Sequence, residues 1–463
     1  MTETIQLSLT DAVRRVGLAG DEVDGWLGPA PPAPGRFALD AAALTAYVER
    51  GTALYDRLPA VAQRDVSERD AAGAIDRALT DARGAFLGVH LGELYDRLTQ
   101  ARSRRLRMER IVYDAATLVP GLVPTAAQMV TERALPLAEK TGLERAQGLL
   151  LEQIMLAPGP GFHLIHSMQA PTEVALEHLR QLQSTGTVDF GPARVTRQGR
   201  AGVLEIVNPR SLNAEDDTTL ALTEAAADLI LLDPEIEIGV VRGGLVDHPR
   251  YVGRRVFGAG INLTRLYHGQ IDFLFYLMRD LGFLNKVYRG LITDGDPARA
   301  VEKLWVAAVE IYAIGGACQL LHVVDHVIAG RGAKLYLPAR KEGIIPGVSN
   351  LRLPRSVGDR AARQAILSGR EWTAGDADAD LLVDEVVEPE DMDQAIVARV
   401  EALTDSGLVN AAANRKALRV GEEPLDIFRQ YCAVYAREQV ECHLSQALVR
   451  NLERHWDAAG RKP

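Results

Sequence analysis

Apolar and polar positions follow two different periods along this chain. Between residues 37 and 187 apolar side chains recur at steps of three and four, which places them on one face of a helix. One such set is Phe86, Val89, Leu91, Leu94, Tyr95 and Leu98. The pattern predicts an all-helical domain over residues 37–188. Before it, residues 1–36 combine a short helical segment with a proline-rich linker at 28–35, which we expect to be stiff and extended.

The pattern changes near residue 190, where β-branched and apolar residues gather in short runs between glycines, prolines and polar residues. We expect a hairpin over 194–207, a helix from about Glu215 to Leu232, and buried strands at Ile236–Val241 and Leu304–Val309. Strands that alternate with helices indicate an α/β domain with crossover connections, here over residues 189–390. The helical period returns over residues 391–463 and predicts a C-terminal helical region.

Composition narrows the functional classes. The chain has 463 residues, enough for up to three domains of about 150 residues each, and a formal charge of −10. That charge argues against partners that need a basic surface, namely nucleic acid and anionic membrane. Three cysteines without a CxxC spacing do not make a disulfide framework or a cysteine-rich metal site. No apolar run reaches the length of about 18 residues that spans a bilayer, and no signal-peptide pattern opens the chain, so we expect a cytoplasmic protein.

Two glycine-bearing turns, Val256–Leu263 and Tyr312–Gln319, each follow an apolar stretch and open a helix. Small residues let the backbone approach a ligand, and the first amides of a helix have no partner within it. Two such amides aimed at one oxygen form an oxyanion hole. Taken alone, each turn is more often a sign of tight packing than of a ligand site. Neither fits the GxGxxG spacing, and the chain has no GxxxxGK[ST] loop, so a nucleotide site is not predicted.

Five segments, in this order, resemble the crotonase (enoyl-CoA hydratase/isomerase) superfamily over about residues 190–460. They are VNPRSLNA at 207–214, FGAGINL at 257–263, AIGGACQ at 313–319, AKLYLP with GIIPG between 333 and 347, and LVDEVV at 382–387. The resemblance implies an α/β, crotonase-like ββα spiral core with a long all-helical N-terminal extension and C-terminal helices. It also implies a homo-oligomer, a trimer or a hexamer.

The resemblance places the two oxyanion amides on Ile261 and Gly316, where they would hold the thioester oxygen of an acyl-CoA. Hydratases of the superfamily also carry two carboxylates, and their positions are occupied here by Gln319 and Ala339. Neither side chain can act as a general base. Addition of water to a double bond is therefore not expected.

In its missing carboxylates and its long helical N-terminal region, the chain most closely resembles one branch of the superfamily. That branch consists of the cofactor-independent dioxygenases of vancomycin-type glycopeptide-antibiotic biosynthesis. The resemblance implies conversion of 3,5-dihydroxyphenylacetyl-CoA and O2 to 3,5-dihydroxyphenylglyoxylate and CoA through a stabilised enolate, with no metal and no organic cofactor. It assigns Glu215 to a hydroxyl of the substrate ring. We expect Arg279 to be a second polar contact to the substrate, and Gln319 to donate and accept hydrogen bonds beside the reacting carbon. The alternative for Glu215 is an acid that merely favours a helix N-terminus. The alternatives for Arg279 are an arginine on the surface and an arginine paired with an acid.

The remaining candidate residues concern CoA and O2. The backbone of Ala259 would contact the CoA adenine, and charge and position suggest Arg210 and Arg254 for the CoA phosphates. Leu263, Ala339 and Ile344 occupy positions that line the acyl cavity of the superfamily, and they would form an apolar O2 pocket. Plain core packing is the alternative for these three residues.

His322 and His326 have a spacing found in some zinc sites, but the glutamate of HExxH is missing. The crotonase resemblance also implies that the helix ends near Asp325, so the two histidines need not share a face. No metal site is predicted. Two other functions stay open: a crotonase-type aryl-CoA isomerase or thioesterase, and a non-catalytic acyl-CoA-binding scaffold.

Overall fold

A computed structural model describes residues 2–18, 20–27, 35–405 and 408–462. Most of the expected proline-rich linker, residues 28–34, lies outside the described residues. The helices are α1 Thr2–Arg15, α2 Gly20–Leu27, α3 Phe37–Tyr55, α4 Val66–Thr99, α5 Met108–Leu118, α6 Ala126–Arg133, α7 Glu144–Leu156, α8 Pro158–Met168, α9 Glu173–Thr185, α10 Leu220–Leu232, α11 Leu263–Tyr267, α12 Leu274–Met278, α13 Asn285–Arg289, α14 Gly316–Leu320, α15 Ala339–Glu342, α16 Ser349–Arg363, α17 Met392–Asp405, α18 Leu408–Glu422, α19 Leu425–His443 and α20 Gln446–Trp456. The strands are β1 Thr187–Asp189, β2 Ala193–Gln198, β3 Ala201–Ile206, β4 Ile238–Gly243, β5 Leu304–Val309, β6 Tyr312–Ile314, β7 His326–Gly330, β8 Lys334–Tyr336, β9 Glu371–Thr373 and β10 Glu385–Val387.

The chain divides into two compact units. The first contains the chain up to Leu164 together with Tyr267–Phe273 and Ala433–Val449. It is helical, and its longest helix, α4, begins at a capping box in which Asp65 and Glu68 bond each other's backbone N–H. This box fixes the start of the helix. Of the periodic set predicted on α4, Phe86, Leu94, Tyr95 and Leu98 are buried as expected, whereas Val89 is exposed.

The second unit contains Ile165–Leu266, Leu274–Cys432 and the chain from Arg450 onward. Its main sheet has seven strands in the order β1-β2-β3-β4-β5-β7-β10, and a smaller sheet has the order β6-β8-β9. The predicted hairpin is confirmed as the antiparallel pair β2 and β3, and from β3 to β10 all neighbours in the main sheet are parallel. Parallel neighbours require crossover connections, and these bring the glycine-bearing turns to the sheet.

One hydrophobic cluster of the second unit lies on one face of the main sheet. Parallel registers align Val203 with Val240 and Val240 with Val306, so branched side chains form a continuous row across three strands. Helix α17 covers this row with Met392 and Ile396. Burial of this row fixes the register of the three strands. The chain segments that leave the ends of these strands are held in place as a result.

The structure corrects two boundaries predicted from the pattern. Helix α10 begins at Leu220 rather than near Glu215, because the intervening residues pair with a distant segment described below. Strand β4 covers Ile238–Gly243, two residues beyond the expected range, whereas β5 matches the predicted strand. Helix α9 lies in the second unit, where the backbone N–H of Thr172 at its N-cap donates to Asp228 at 2.7 Å.

Candidate active site

The two glycine-bearing turns lie side by side in the second unit. The backbone N–H of Gly258 donates to the carbonyl of Tyr312 at 3.3 Å, and the N–H of Ile314 donates to the carbonyl of Gly258 at 3.0 Å. These bonds form a parallel bridge between Gly258 and Ala313. Two segments that are about 55 residues apart in sequence therefore run together at the point where each opens its helix.

Glycine is required where the turns meet. Gly260 has a φ of +83°, and a Cβ on it would lie 2.9 Å from the carbonyl oxygen of Ile314 and 3.2 Å from the amide nitrogen of Gly316. Gly315 has a φ of +54°, and a Cβ on it would lie 3.5 Å from Cα of Gly260. Both conformations are costly for residues with a side chain. The close approach places the amide of Gly316 against the turn that carries Ile261.

The amides of Ile261 and Gly316 are both available to a ligand. Glu215 bonds to the residues on either side of Ile261: its N–H donates to the carbonyl of Gly260 at 2.7 Å, and its carbonyl accepts from Asn262 at 2.8 Å. This parallel pattern turns the N–H of Ile261 away from Glu215. Gly316 is the first residue of α14, where an N–H has no partner within the helix. Within the described parts of the chain, neither N–H has a hydrogen-bond acceptor.

Arg279 joins three of the predicted site residues. It is 4% exposed and begins a stretch of π-helix, Arg279–Leu284, between α12 and α13. Its guanidinium donates from Nε to Oε2 of Glu215 and from Nη2 to Oε1 of Glu215 at 3.1 Å. It also donates from Nη1 to Oε1 of Gln319 at 2.8 Å and from Nη2 to the carbonyl of Gly316 at 2.6 Å. The structure contradicts two of the alternatives that the sequence left open, a surface position for Arg279 and a helix N-terminal position for Glu215. The third alternative, an arginine paired with an acid, agrees with the ion pairs of Arg279 to Glu215 and to Asp280.

Arg279 and its partners Glu215, Gln319 and Gly316 form a cluster, called the Arg279 cluster below. The ion pair in this cluster is almost shut off from water. Glu215 is 6% exposed, and a Cβ on Gly316 would lie 2.8 Å from its Oε2 atom. A buried guanidinium and carboxylate must be paired, since an isolated charge in such a position costs several kcal/mol or more. The pair is therefore a fixed hydrogen-bonding centre beside the amide of Gly316.

A second polar group lies behind Gln319. A Cβ on Gly347 would lie 2.4 Å from Oε1 of Gln319 and 2.8 Å from Oδ2 of the buried Asp280. The hydroxyl of Tyr431 donates to the carbonyl of Gly347 at 2.5 Å. Burial, with a smaller contribution from Asp280, raises the pKa of Tyr431 well above its usual value. Sequence reasoning missed the roles of Gly347 and Tyr431: Gly347 was noted only as the last residue of the GIIPG motif, and Tyr431 stands outside the motifs.

Sequence reasoning also missed Glu342. It lies with Ala339 on the four-residue helix α15, whose buried residues are Ala339 and Glu342, while Arg340 and Lys341 are exposed. Burial alone raises the pKa of Glu342 to about 7. The signal in the sequence was available: an acid three residues after Ala339 shares its helix face.

The candidate O2 and CoA residues occupy different environments. Ala339 and Ile344 are buried, and Leu263 is half-buried at the start of α11.

The candidate CoA residues Arg210 and Arg254 are exposed. Their segments flank one loop, because Asp247 N–H donates to the carbonyl of Pro209 and Val246 N–H donates to that of Arg254. The N–H of the half-buried Ala259 donates to the carbonyl of Leu212 at 3.1 Å, which leaves its carbonyl as the backbone group that a ligand could use.

The histidine pair does not share a helix face. Helix α14 ends at Leu320, His322 lies in the turn after it, and His326 begins β7. Burial, with a smaller contribution from Arg352 and Arg355, lowers the pKa of His322 to about 3.

Across the described ranges, no group of three or more His, Cys, Asp or Glu side chains is placed to hold a metal ion. In the same ranges, no helix has the length and apolarity needed to cross a membrane.

Comparison with known proteins relates this chain to a family. The family model of enoyl-CoA hydratase/isomerase matches residues 250–433. The (3,5-dihydroxyphenyl)acetyl-CoA 1,2-dioxygenase of Amycolatopsis orientalis is 46% identical over 403 residues, which are 87% of this chain and 92% of that protein. The probable enoyl-CoA hydratase echA8 of Mycobacterium bovis is 30% identical over 220 residues, covering 47% of this chain and 77% of the hydratase. A crystal structure of an enoyl-CoA hydratase from Mycobacterium avium subsp. paratuberculosis superimposes with a TM-score of 0.48 at 18% identity, covering 57% of this chain and 98% of that one.

The similarity to the Amycolatopsis protein extends over most of both chains and includes the helical region before the crotonase motifs. We conclude that this chain belongs to the crotonase (enoyl-CoA hydratase/isomerase) superfamily, in the same family as that dioxygenase.

Proposed function

We propose that this protein is a dioxygenase that converts 3,5-dihydroxyphenylacetyl-CoA and O2 into 3,5-dihydroxyphenylglyoxylate and CoA. The observation that carries the proposal is the Arg279 cluster. It joins Glu215 and Gln319 beside the amide of Gly316, where a hydratase would have the first of its two carboxylates. The 46% identity to a dioxygenase of this specificity supports the same reaction.

The reaction begins at the thioester. The amides of Ile261 and Gly316 donate to the carbonyl oxygen, and they bind the enolate oxygen more strongly because it carries more negative charge. This difference acidifies the α-carbon, and the dihydroxyphenyl ring spreads the resulting charge further. The Arg279 cluster meets the ring hydroxyls, with Glu215 as an acceptor and the guanidinium as a donor.

The enolate then reacts with O2 directly. It gives one electron to O2, and the resulting superoxide and substrate radical combine to form a peroxide at the α-carbon. The terminal peroxide oxygen attacks the thioester carbonyl and expels CoA as a thiolate. Cleavage of the O–O bond with loss of the second α-proton leaves the ketone and the carboxylate. Both oxygen atoms of O2 remain in the product.

Ala339 and Gln319 favour oxygenation over hydration. Hydration needs two carboxylates to orient and activate water, and these two positions carry a methyl group and an amide. The amide of Gln319 is held by Arg279 and donates or accepts without taking a proton. Ala339 and Ile344, both buried, with Leu263, would supply the apolar space that O2 needs.

No metal and no organic cofactor takes part in the proposed reaction, because the carbanion is itself the reductant of O2. The acyl-CoA would extend from the turns past the carbonyl of Ala259 to the exposed Arg210 and Arg254, whose charges suit its phosphates. We further propose a homo-oligomer, trimeric or hexameric, that acts in the cytoplasm in the biosynthesis of a vancomycin-type glycopeptide antibiotic.

Incubation with 3,5-dihydroxyphenylacetyl-CoA under labelled O2 tests the function. The expected result is O2 uptake with stoichiometric release of CoA, and a glyoxylate product that carries two labelled oxygen atoms. An isomerase or a binding scaffold consumes no O2, and a thioesterase releases CoA without O2. Any of these three results would overturn the proposal.

A further inference from the structure

Glu342 is a buried carboxylate that the reaction above leaves unused. It is 5% exposed and lies on the inward face of α15, three residues after Ala339. Its Oε1 atom is 3.8 Å from the position of a Cβ on Gly315, the residue whose peptide bond carries the amide of Gly316. Among the described residues, no side chain forms an ion pair or hydrogen bond with this carboxylate, and its pKa is moved by burial alone. A carboxylate in a residue that is nearly buried and has no partner needs an explanation.

The position of Glu342 relates it to the reacting carbon. Ala339 stands where a hydratase holds a carboxylate, and Glu342 follows it by about one turn on the same buried face. The neighbouring Gly315 contacts Gly260 of the other turn. The carboxylate therefore lies at the junction of the two turns that bind the thioester oxygen, and the α-carbon is bonded directly to that carbonyl group.

We propose that Glu342 is the general base that removes the α-proton of the bound acyl-CoA. The inference rests on the proposed function, which requires an enolate and assigns no group to form it. One C–H bond of the α-carbon breaks, the proton passes to the carboxylate of Glu342, and the electron pair becomes the enolate. The oxyanion is held by Ile261 and Gly316.

The same carboxylate can complete the proton balance. Expulsion of CoA leaves a thiolate, which takes the proton from Glu342 and restores the base. When the O–O bond breaks, the electron pair of the second α C–H bond forms the ketone, and Glu342 accepts that proton too before releasing it to water. In total, one acyl-CoA and one O2 give one glyoxylate anion, one CoA thiol and one proton.

The titratable groups around Glu342 keep their charge state over the pH range of the assay, whereas Glu342 changes its own. Strand β8 contributes Tyr336, whose pKa is raised to about 12 by burial, with smaller contributions from Glu371 and Glu342, so it stays neutral over the assay range. In the turn Tyr312–Gln319, burial raises the pKa of Tyr312 well above its usual value and that of Cys318 to about 12, so both side chains stay neutral. The segment Gln364–Ser368, which packs against α15, has no titratable side chain. A base with a pKa near the working pH is efficient in both directions of proton transfer.

Hydrogen exchange without O2 tests the base separately from the oxygenase. The protein is incubated anaerobically with 3,5-dihydroxyphenylacetyl-CoA in D2O, and deuterium at the α-carbon is followed by mass spectrometry. We expect Glu342→Gln to slow exchange by about 10²- to 10⁴-fold. Glu342→Asp should restore part of the rate. Lys341→Gln, on the exposed face of the same helix, is the matched control and should exchange like the wild type.

Oxygen uptake in air completes the experiment. We expect Glu342→Gln to lose O2 uptake in parallel and to show a larger isotope effect with α-dideuterated substrate. The kcat/KM of the wild type should rise with pH to a plateau above about 7, and this rise should be absent in Glu342→Gln. A well-folded Glu342→Gln protein that exchanges or consumes O2 at the wild-type rate overturns the assignment of the base. Glu342-dependent exchange in a wild type that consumes no O2 would instead refute the oxygenase and leave the base in place.

Discussion

Replacing Glu342 by glutamine should stabilise the folded protein above neutral pH. Burial raises the pKa of Glu342 from 4.5 to about 7, so the folded state holds a proton that the unfolded chain has already lost. Between these two values the folded state binds more protons, and the free energy of unfolding therefore falls as pH rises. Below pH 4.5 the carboxyl group is neutral in both states and the penalty disappears. Glutamine has nearly the same shape and does not titrate.

The magnitude follows from the size of the shift. A change of one pKa unit corresponds to about 1.4 kcal/mol, so the shift of Glu342 costs the wild type roughly 3 kcal/mol once the carboxylate is ionised in both states. Between pH 5 and pH 8 the penalty grows by about 2–3 kcal/mol. A buried amide has its own cost, but that cost does not depend on pH. It cancels when the effect of the substitution at pH 5 is subtracted from its effect at pH 8.

Urea denaturation at the two pH values measures this difference. The wild type, Glu342→Gln and Glu390→Gln are compared, and Glu390→Gln is the control because it removes an exposed carboxylate from the same unit. We expect Glu342→Gln to gain about 2–3 kcal/mol relative to the wild type on going from pH 5 to pH 8, and the control to gain nothing. The same gain in both variants, or no gain in Glu342→Gln, would refute the idea that this carboxylate is held in the fold without a compensating charge.

The remaining predictions concern the turns and the Arg279 cluster. Arg279→Met should destabilise the fold by about 3–5 kcal/mol because it leaves Glu215 buried without its partner, and adding Glu215→Gln should recover part of the loss in urea denaturation. Gly316→Pro removes one amide donor, so turnover should fall by at least about 10²- to 10³-fold while circular dichroism shows an intact helical unit; a near-normal rate would remove Gly316 from the oxyanion hole. Gln319→Glu should not hydrate crotonyl-CoA, because Ala339 still leaves water held on one side only, and rapid hydration would contradict this reasoning. O2 uptake should survive exhaustive chelation, and stoichiometric iron, copper or manganese in active protein would contradict a metal-free reaction.

The sequence predicted the elements whose determinants are local. The run Leu304–Val309 is apolar, β-branched in part and bounded by polar residues, and it forms β5 over those residues. The start of α10 was misplaced because Glu215 pairs with Gly260 and Asn262, and such hydrogen bonds between distant segments leave no periodic trace. Val89 shows the opposite error, since an apolar residue can fit the period and still face solvent.

The site was predictable where motifs fix the backbone and unpredictable where packing fixes a side chain. The two turns had characteristic glycines, and the structure brings them together as the motifs suggested. The pairing of Glu215 with Arg279 was not predicted, because the two residues are 64 positions apart and no local pattern links them. Glu342 lies in the sequence Arg-Lys-Glu, which has the composition of a solvated turn. Its place three residues after Ala339 was the one signal in the sequence, and the packing of α15 shows that this third charge is buried.

The buried pair of Glu215 and Arg279 limits the routes by which this active site can evolve. Loss of Arg279 leaves the carboxylate of Glu215 buried without its cation, and a second substitution at position 215 relieves that penalty; loss of Glu215 leaves Arg279 paired with Asp280 at 3.8 Å. We expect the two positions to change together in descendants of this chain, with Gln319 following because it shares the guanidinium. A descendant with an acid at position 215 and no basic residue at position 279 would be expected to have lost the proposed reaction.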